Sequence, residues 1–171
     1  LGLAARAEEL AGRLEELAET YVRGRLVRQG ARVVLTGAPN AGKSSLFNAL
    51  LGSARAIVTE VAGTTRDTVE ESIEVHGVPV VLVDTAGLRE TPDRIEAEGI
   101  ARTEAVLATA DLIVHVEDVS QAHLSSPPAN GAPRILVASK ADLRPTRVLE
   151  GAIAVSAVAG TGLSDLRDAI A

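Results

Sequence analysis

The sequence predicts a three-layer α/β fold, in which helices flank a mostly parallel sheet of six strands with one strand antiparallel. Three observations carry this expectation. Runs of strand length, most of them apolar, recur at 31–36, 68–75, 78–84, 112–116, 134–138 and 152–155, with helical patterns interleaved, as in strands joined by helical crossovers. The second and third runs meet at His76-Gly77, a two-residue hairpin signal, so one of that pair must run against the rest. The chain has 171 residues, 46% of them hydrophobic, enough for one domain with its own core. With one Phe and one Tyr, that core must be aliphatic.

The first element stands apart from this pattern. Residues 3–29 read as a helix, because Leu3, Ala7, Leu10, Leu14, Leu17 and Tyr21 recur at alternating steps of four and three, a heptad seam. Glu8, Glu9, Arg13, Glu15 and Glu16 fill the opposite face. The seam calls for a partner helix outside the α/β unit, which divides the chain into residues 1–30, an entering helix from a truncated helical domain, and residues 31–171. The alternative is an amphipathic helix lying on its own domain. A first residue that is Leu rather than Met, and an end inside a helical pattern at Ile170-Ala171, read as part of something longer.

Strand 31–36 leads into Gly37-Ala38-Pro39-Asn40-Ala41-Gly42-Lys43-Ser44, which fits the phosphate-loop pattern G-x-x-x-x-G-K-[ST] without departure, and helix 45–51 follows. Glycines let consecutive N–H groups face phosphate oxygens, and the positive end of the new helix adds its dipole. Asn40, Ala41, Gly42, Lys43, Ser44 and Ser45 are the nucleotide-binding candidates there. Lys43 would reach the β- and γ-phosphates and Ser44 would ligate Mg2+. Fifteen arginines stand against two lysines, Lys43 and Lys140. At Lys43 a compact point charge on a flexible stem fits where a planar guanidinium is too bulky.

Downstream, residues 57–67 form a polar loop without period, and a loop of that length in a compact domain is usually functional. His76 reads as a turn residue rather than a ligand. Asp84-Thr85-Ala86-Gly87 ends a strand at the sheet edge where ligands gather. Residues 88–98 are charge-rich and contain Pro92, a helix is expected over 100–110, and residues 121–133 have an irregular composition. Ser139-Lys140-Ala141-Asp142 and Ser156-Ala157 each follow a strand, and a helix closes the chain over 162–170.

The phosphate loop, Thr65, Asp84 to Gly87, Ser139 to Asp142 and Ser156-Ala157 have the order and spacing of the five motifs of translation-factor-type GTPases. Three runs are more specific: Gly37 through Leu50, Gly63-Thr64-Thr65-Arg66-Asp67, and Asp84-Thr85-Ala86-Gly87-Leu88-Arg89-Glu90-Thr91, with Asp93 and then Ile95-Glu96. Over residues 32–171 they resemble the G domain of the MnmE (TrmE) family of tRNA modification GTPases. The entering helix is similar to the point where that family inserts its G domain into a helical domain.

The resemblance implies a P-loop NTPase of the Ras-like G-domain type over 31–171, cycling between GTP and GDP. Thr64 and Thr65 would close on the γ-phosphate and Mg2+, and the loop would relax when that phosphate leaves. Asp84 would stand behind the ion and the Gly87 N–H would point at the γ-phosphate. Asp142 would accept guanine N1–H and N2–H, which adenine cannot offer. Lys140 would lie along the base and the Ala157 N–H, after Ser156, would meet the guanine carbonyl. Taken singly, Asp84 could be a strand-end cap and Ser156-Ala157 a plain turn.

Two departures stand out. Ser139 occupies the place of the usual Asn, substituting a short hydroxyl for an amide that braces the phosphate loop. Leu88 occupies the place of the water-orienting Gln of Ras-type enzymes. By resemblance, the catalytic set becomes Glu96, Thr65 and Gly87, with Glu96 orienting the attacking water. Asn40 with loop carbonyls such as those of Thr59 and Val61 would hold K+, and two G domains would pair face to face. The wider expectation is a role in tRNA wobble-uridine modification of the 5-carboxymethylaminomethyl type, with the flavoprotein MnmG and tRNA engaged through the longer protein. An alternative is the guanine-nucleotide switch of a ribosome-assembly GTPase. An ATPase or small-molecule kinase conflicts with Asp142.

Composition sets further bounds. A net charge of −6 argues against this chain alone gripping a nucleic-acid backbone. The absence of cysteine removes disulfide and thiolate chemistry. No apolar run approaches the roughly 20 residues of a membrane span and no signal peptide is visible, so a cytoplasmic protein without a membrane partner is expected.

Overall fold

The computed structural model describes residues 2–53, 55–56, 69–85, 103–121, 125, 131–143 and 149–171. Helix α1 (Leu3–Gln29) leads into strand β1 (Ala31–Thr36), the phosphate-loop motif and helix α2 (Lys43–Ser53). A two-residue strand β2 (Arg55–Ala56) precedes the pair β3 (Val69–Val75) and β4 (Val78–Asp84). A helical stretch α3 (residues 103–108) leads to β5 (Leu112–Asp118). The chain closes with β6 (Arg134–Ser139), β7 (Ile153–Val155) and α4 (Leu163–Ile170).

These strands form one sheet in the order β2-β3-β4-β1-β5-β6-β7. Strands β4, β1, β5, β6 and β7 are parallel, while β3 is antiparallel to β4 and β2 is antiparallel to β3. All six expected strands are present and β3 is the reversed one. The sheet gains a seventh strand at its edge, β2, because Arg55 and Ala56 register against Glu74 and Ile73.

The hairpin between β3 and β4 turns at His76 (φ 50°) and Gly77 (φ 82°). Positive φ at both positions is the twist-matched type I′ turn that a right-handed hairpin prefers. His76 is thus the expected turn residue. Its Nε2 also lies 2.6 Å from Asp168 Oδ1 on α4, an exposed pair of the kind that adds about 0 to 1 kcal/mol.

Alternation along the strands builds a core on each face of the sheet. Val33, Leu35, Leu82, Val114 and Val116 pack with Leu46 and Leu50 of α2 and Leu166 of α4. Val34, Val83 and Ile113 face the other way, onto Leu107 of α3. Leu50 has no exposed surface, so Leu50→Ala would cost about 2 to 5 kcal/mol and loosen the seat of α2. Central strand β1 lies where the chain order across the sheet reverses, and the crevice outside the strand C-termini at such a point is where α/β folds bind ligands.

Helix α1 is stopped at Gly30, whose N–H bonds the Leu26 carbonyl at 2.9 Å. Its last turns are tied to the sheet by Arg25, which pairs with Asp111 just before β5, and the other Asp111 oxygen accepts the Arg32 N–H at 2.9 Å. The hydrogen bond to Asp111 is the main reason the Arg25 guanidinium is held above its ordinary pKa. Of the seam, Leu10, Leu14 and Tyr21 are 60%, 60% and 74% exposed. At those three positions the helix does not lie on the α/β body. Among the described residues no helix is long and apolar enough to cross a membrane.

Candidate active site

The phosphate loop leaves β1 at Gly37, and its geometry explains both glycines. A Cβ on Gly37 would stand 2.2 Å from the Val116 carbonyl oxygen, so β5 passes too close for any side chain. Gly42 has φ +99°, a conformation that only glycine adopts freely. Asn40, exposed and with φ 61°, occupies the left-handed region that Asn tolerates better than most residues. Lys43 is buried as the first residue of α2, and its ammonium donates to the carbonyls of Gly37 at 3.1 Å and Ala38 at 2.8 Å. The loop is thereby closed on itself by the lysine the motif requires.

Beside it, Ser44 donates its hydroxyl to Asp84 Oδ2 at 2.7 Å. These two come from the start of α2 and the end of β4, 40 positions apart, and Asp84 is buried. They are hard oxygen donors, the type Mg2+ selects. The next residue, Thr85, carries no positional expectation from the sequence, yet its buried hydroxyl donates to the Leu35 carbonyl at 2.8 Å and pins the end of β4 to β1.

A cavity of about 300 Å³ opens next to the loop. Gly42 and Ser45 line it from the phosphate side, and Lys140, Asp142 and Ala157 from the other. Leu143 and Val158, 47% and 90% exposed, stand at its rim. Ser156, fully buried, holds Ala157 in place. Its N–H donates to the Thr161 carbonyl at 3.0 Å, and its hydroxyl accepts the Ala159 N–H at 3.0 Å.

Ser139 joins the two halves. Its hydroxyl lies 2.5 Å from the Ala41 carbonyl of the phosphate loop and 3.0 Å from the Glu117 carbonyl. The brace that an Asn amide would supply is made here by the shorter side chain, because the backbone of the loop comes close enough to meet it. Of the remaining sequence-derived site residues, Thr59, Val61, Thr64, Thr65, Gly87 and Glu96 lie outside the described residues.

Two groups of residues in this region escape sequence reasoning, which ends β5 at Val116. The strand runs on to Asp118. His115 is buried, with Thr36 Oγ1 2.9 Å from its Nδ1 and Glu117 Oε1 2.8 Å from its Nε2. The Ser125 N–H also donates to Glu117 at 2.9 Å. On the next residue, Asp118 Oδ2 accepts the Lys140 ammonium at 2.6 Å, and Oδ1 accepts the Ser120 N–H at 2.9 Å and hydroxyl at 2.6 Å. Burial alone would raise the pKa of Asp118. The bonds from Lys140 and Ser120 outweigh it and hold the carboxyl below its ordinary value. A charged residue at the C-terminal end of a parallel strand was the available signal.

A glycine-built anion loop on a helix start, a hydroxyl and carboxylate beside it, and a separate cavity lined by Lys140 and Asp142 define a nucleotide-binding P-loop domain. Residues 32–140 match the family model described as 50S ribosome-binding GTPase, so the chain belongs to that GTPase family and is a GTP-hydrolysing domain. It is 46% identical over 172 residues to the tRNA modification GTPase MnmE of Akkermansia muciniphila, covering 98% of this chain and 38% of that protein. It is 44% identical over 162 residues to MnmE of Thermus thermophilus, covering 95% and 38% respectively. The chain thus spans well under half the length of these relatives. Among solved structures, the FeoB G-domain from Methanococcus jannaschii superposes with a TM-score of 0.57 at 24% identity, over 82% of this chain and 94% of that one. That likeness shows the fold.

Proposed function

We propose that this chain is the GTP-hydrolysing switch of an MnmE-type tRNA modification enzyme. The observation that carries the assignment is the identity with MnmE proteins along 98% of the chain, together with the Ser139 bond that ties the cavity to the phosphate loop. Asp142 selects guanine, because its carboxylate accepts two donors that adenine lacks. Lys140 covers the base and the Ala157 N–H meets its carbonyl. Loop residues 40–45 hold the phosphates, with Lys43 turning its ammonium from the Gly37 and Ala38 carbonyls toward them.

Ser44, Asp84 and Thr65 would hold Mg2+, Asp84 acting through the Ser44 hydroxyl that it accepts. The ion, when bound, neutralises charge on the β- and γ-phosphate oxygens. Asn40 would contribute an amide oxygen, and Thr59 and Val61 their carbonyls, to holding K+, a donor set suited to a large, weakly hydrated cation. The Gly87 N–H and Thr64-Thr65 engage the γ-phosphate, and Glu96 orients the attacking water. Pairing of two such domains activates hydrolysis.

In the longer protein, α1 belongs to a helical domain that covers its exposed seam, and residues 31–171 form the G domain. The cycle drives wobble-uridine modification with an MnmG-type flavoprotein and tRNA in the cytoplasm. The test of the guanine assignment compares GTP, ATP and xanthosine triphosphate binding for the parent and Asp142→Asn. The parent should prefer GTP, and the variant should move to the xanthosine nucleotide, with each lost charged hydrogen bond costing about 1.5 to 3 kcal/mol. A variant that keeps GTP and gains no xanthosine preference overturns the assignment.

A further inference from the structure

We propose that Asp118 is a positioning residue for guanine-nucleotide binding: it anchors the Lys140 ammonium so that the lysine stem forms a fixed wall of the cavity. The proposal rests on the guanine-site reading above and assigns a role to a residue outside every recognised motif.

Lys140 lines the cavity, and its Nζ is engaged not by a loop carbonyl but by the Asp118 carboxylate at 2.6 Å. Asp118 is itself tied on two sides. It ends β5, which is hydrogen-bonded to β6 with Asp118 opposite Ser139, and Ser120 clamps its second oxygen twice. It is 7% exposed, whereas the Lys140 side chain is 35% exposed. The flexible partner is therefore held by the rigid one.

The need for such an anchor follows from the backbone. Lys140 has φ 57°, a left-handed conformation that disfavours side chains carrying a Cβ and persists only where the surroundings fix it. A free lysine stem has several rotatable bonds and would sweep into solvent. With both ends fixed, its methylene groups present a flat apolar strip to a planar base while the charge stays neutralised at the back of the cavity. An arginine at the same site would place a broad planar group where Asp118 and Ser120 already fill the space around the charge. This agrees with lysine surviving at two sites only in a chain with fifteen arginines.

The experiment is a double-mutant cycle on GDP binding by this chain, with Asp118→Ala, Lys140→Ala and the double variant, and Asp118→Asn as the isosteric change that keeps the Ser120 bonds. Asp118→Ala is expected to raise the GDP dissociation constant about tenfold, and Asp118→Asn about threefold. The double variant should bind within about twofold of Lys140→Ala, since the two residues act as one unit. In GTP turnover the loss should fall on KM rather than kcat, a split that general disruption of the fold does not produce. An Asp118→Ala affinity within twofold of the parent, or losses that multiply in the double variant, overturns the proposal while leaving the guanine site standing. A parent chain that does not bind GDP overturns both.

Discussion

The Ser139 hydroxyl meets the Ala41 carbonyl at 2.5 Å, bonding the end of β6 to the phosphate-loop motif. Ser139 is buried, and a Cβ placed on Gly42 would come within 3.6 Å of the same hydroxyl. The two segments are therefore joined by a direct bond.

Ser139→Ala should remove the bond and leave a buried carbonyl unpaired, at a cost of about 1 to 3 kcal/mol. The loss should appear in GDP affinity as well as in melting temperature. Ser139→Asn should tighten GDP binding modestly by adding an amide within reach of the base. Equal affinity of parent and Asn variant by fluorescence titration would show that the serine already supplies all that this position gives.

The Ser44–Asp84 bond of 2.7 Å leads to a second expectation. A carboxylate standing behind a metal-binding hydroxyl typically governs metal affinity by 10- to 100-fold. Asp84→Asn should shift the magnesium dependence of GTP turnover by roughly that factor while the fold persists. An unshifted magnesium titration contradicts the reading in which Ser44 holds the ion with Asp84 behind it.

The site is partly legible in the sequence because its residues lie in short motifs whose order and joint presence leave few readings. Gly37, Gly42, Lys43 and Ser44 lie at the turn from β1 into α2, Asp84 ends β4, and Asp142 and Ala157 line the cavity. What is not legible depends on contacts between segments far apart. Strand β2 has two residues and no period to read. Strand β5 reads two residues short because Glu117 and Asp118 do not look like strand residues. They are buried there only because His115, Ser125 and Lys140 supply their partners. The Ser139 brace is hidden for the same reason, since a side chain's reach depends on how close the opposite backbone lies.

Asp118 also sets a pH dependence. Its folded pKa lies below the ordinary value of 3.8, so its ion pair stabilises the fold fully above that value. The contribution is lost as pH falls through the lower folded pKa. Denaturant unfolding of the parent and Asp118→Asn between about pH 6 and pH 2.5 should show the parent's advantage shrinking at the acid end. A difference independent of pH across that window would mean that charge plays no part in the pair.

Glu96→Ala should lose about 10²- to 10⁴-fold in turnover, the range for a positioned acid–base group, while GTP affinity stays close to the parent's. Glu90→Ala, in the same charged segment, should do much less. Parental turnover by Glu96→Ala in saturating potassium would move the task of holding water to backbone groups near Gly87 or to Thr64-Thr65.

The central claim, a cation-activated GTPase of the MnmE type, is tested most directly by GTP turnover as potassium replaces sodium at constant ionic strength. The account predicts that the rate rises with potassium, and that the dimer fraction with a transition-state mimic rises in parallel. Equal rates and equal dimer fractions in sodium and potassium would contradict it.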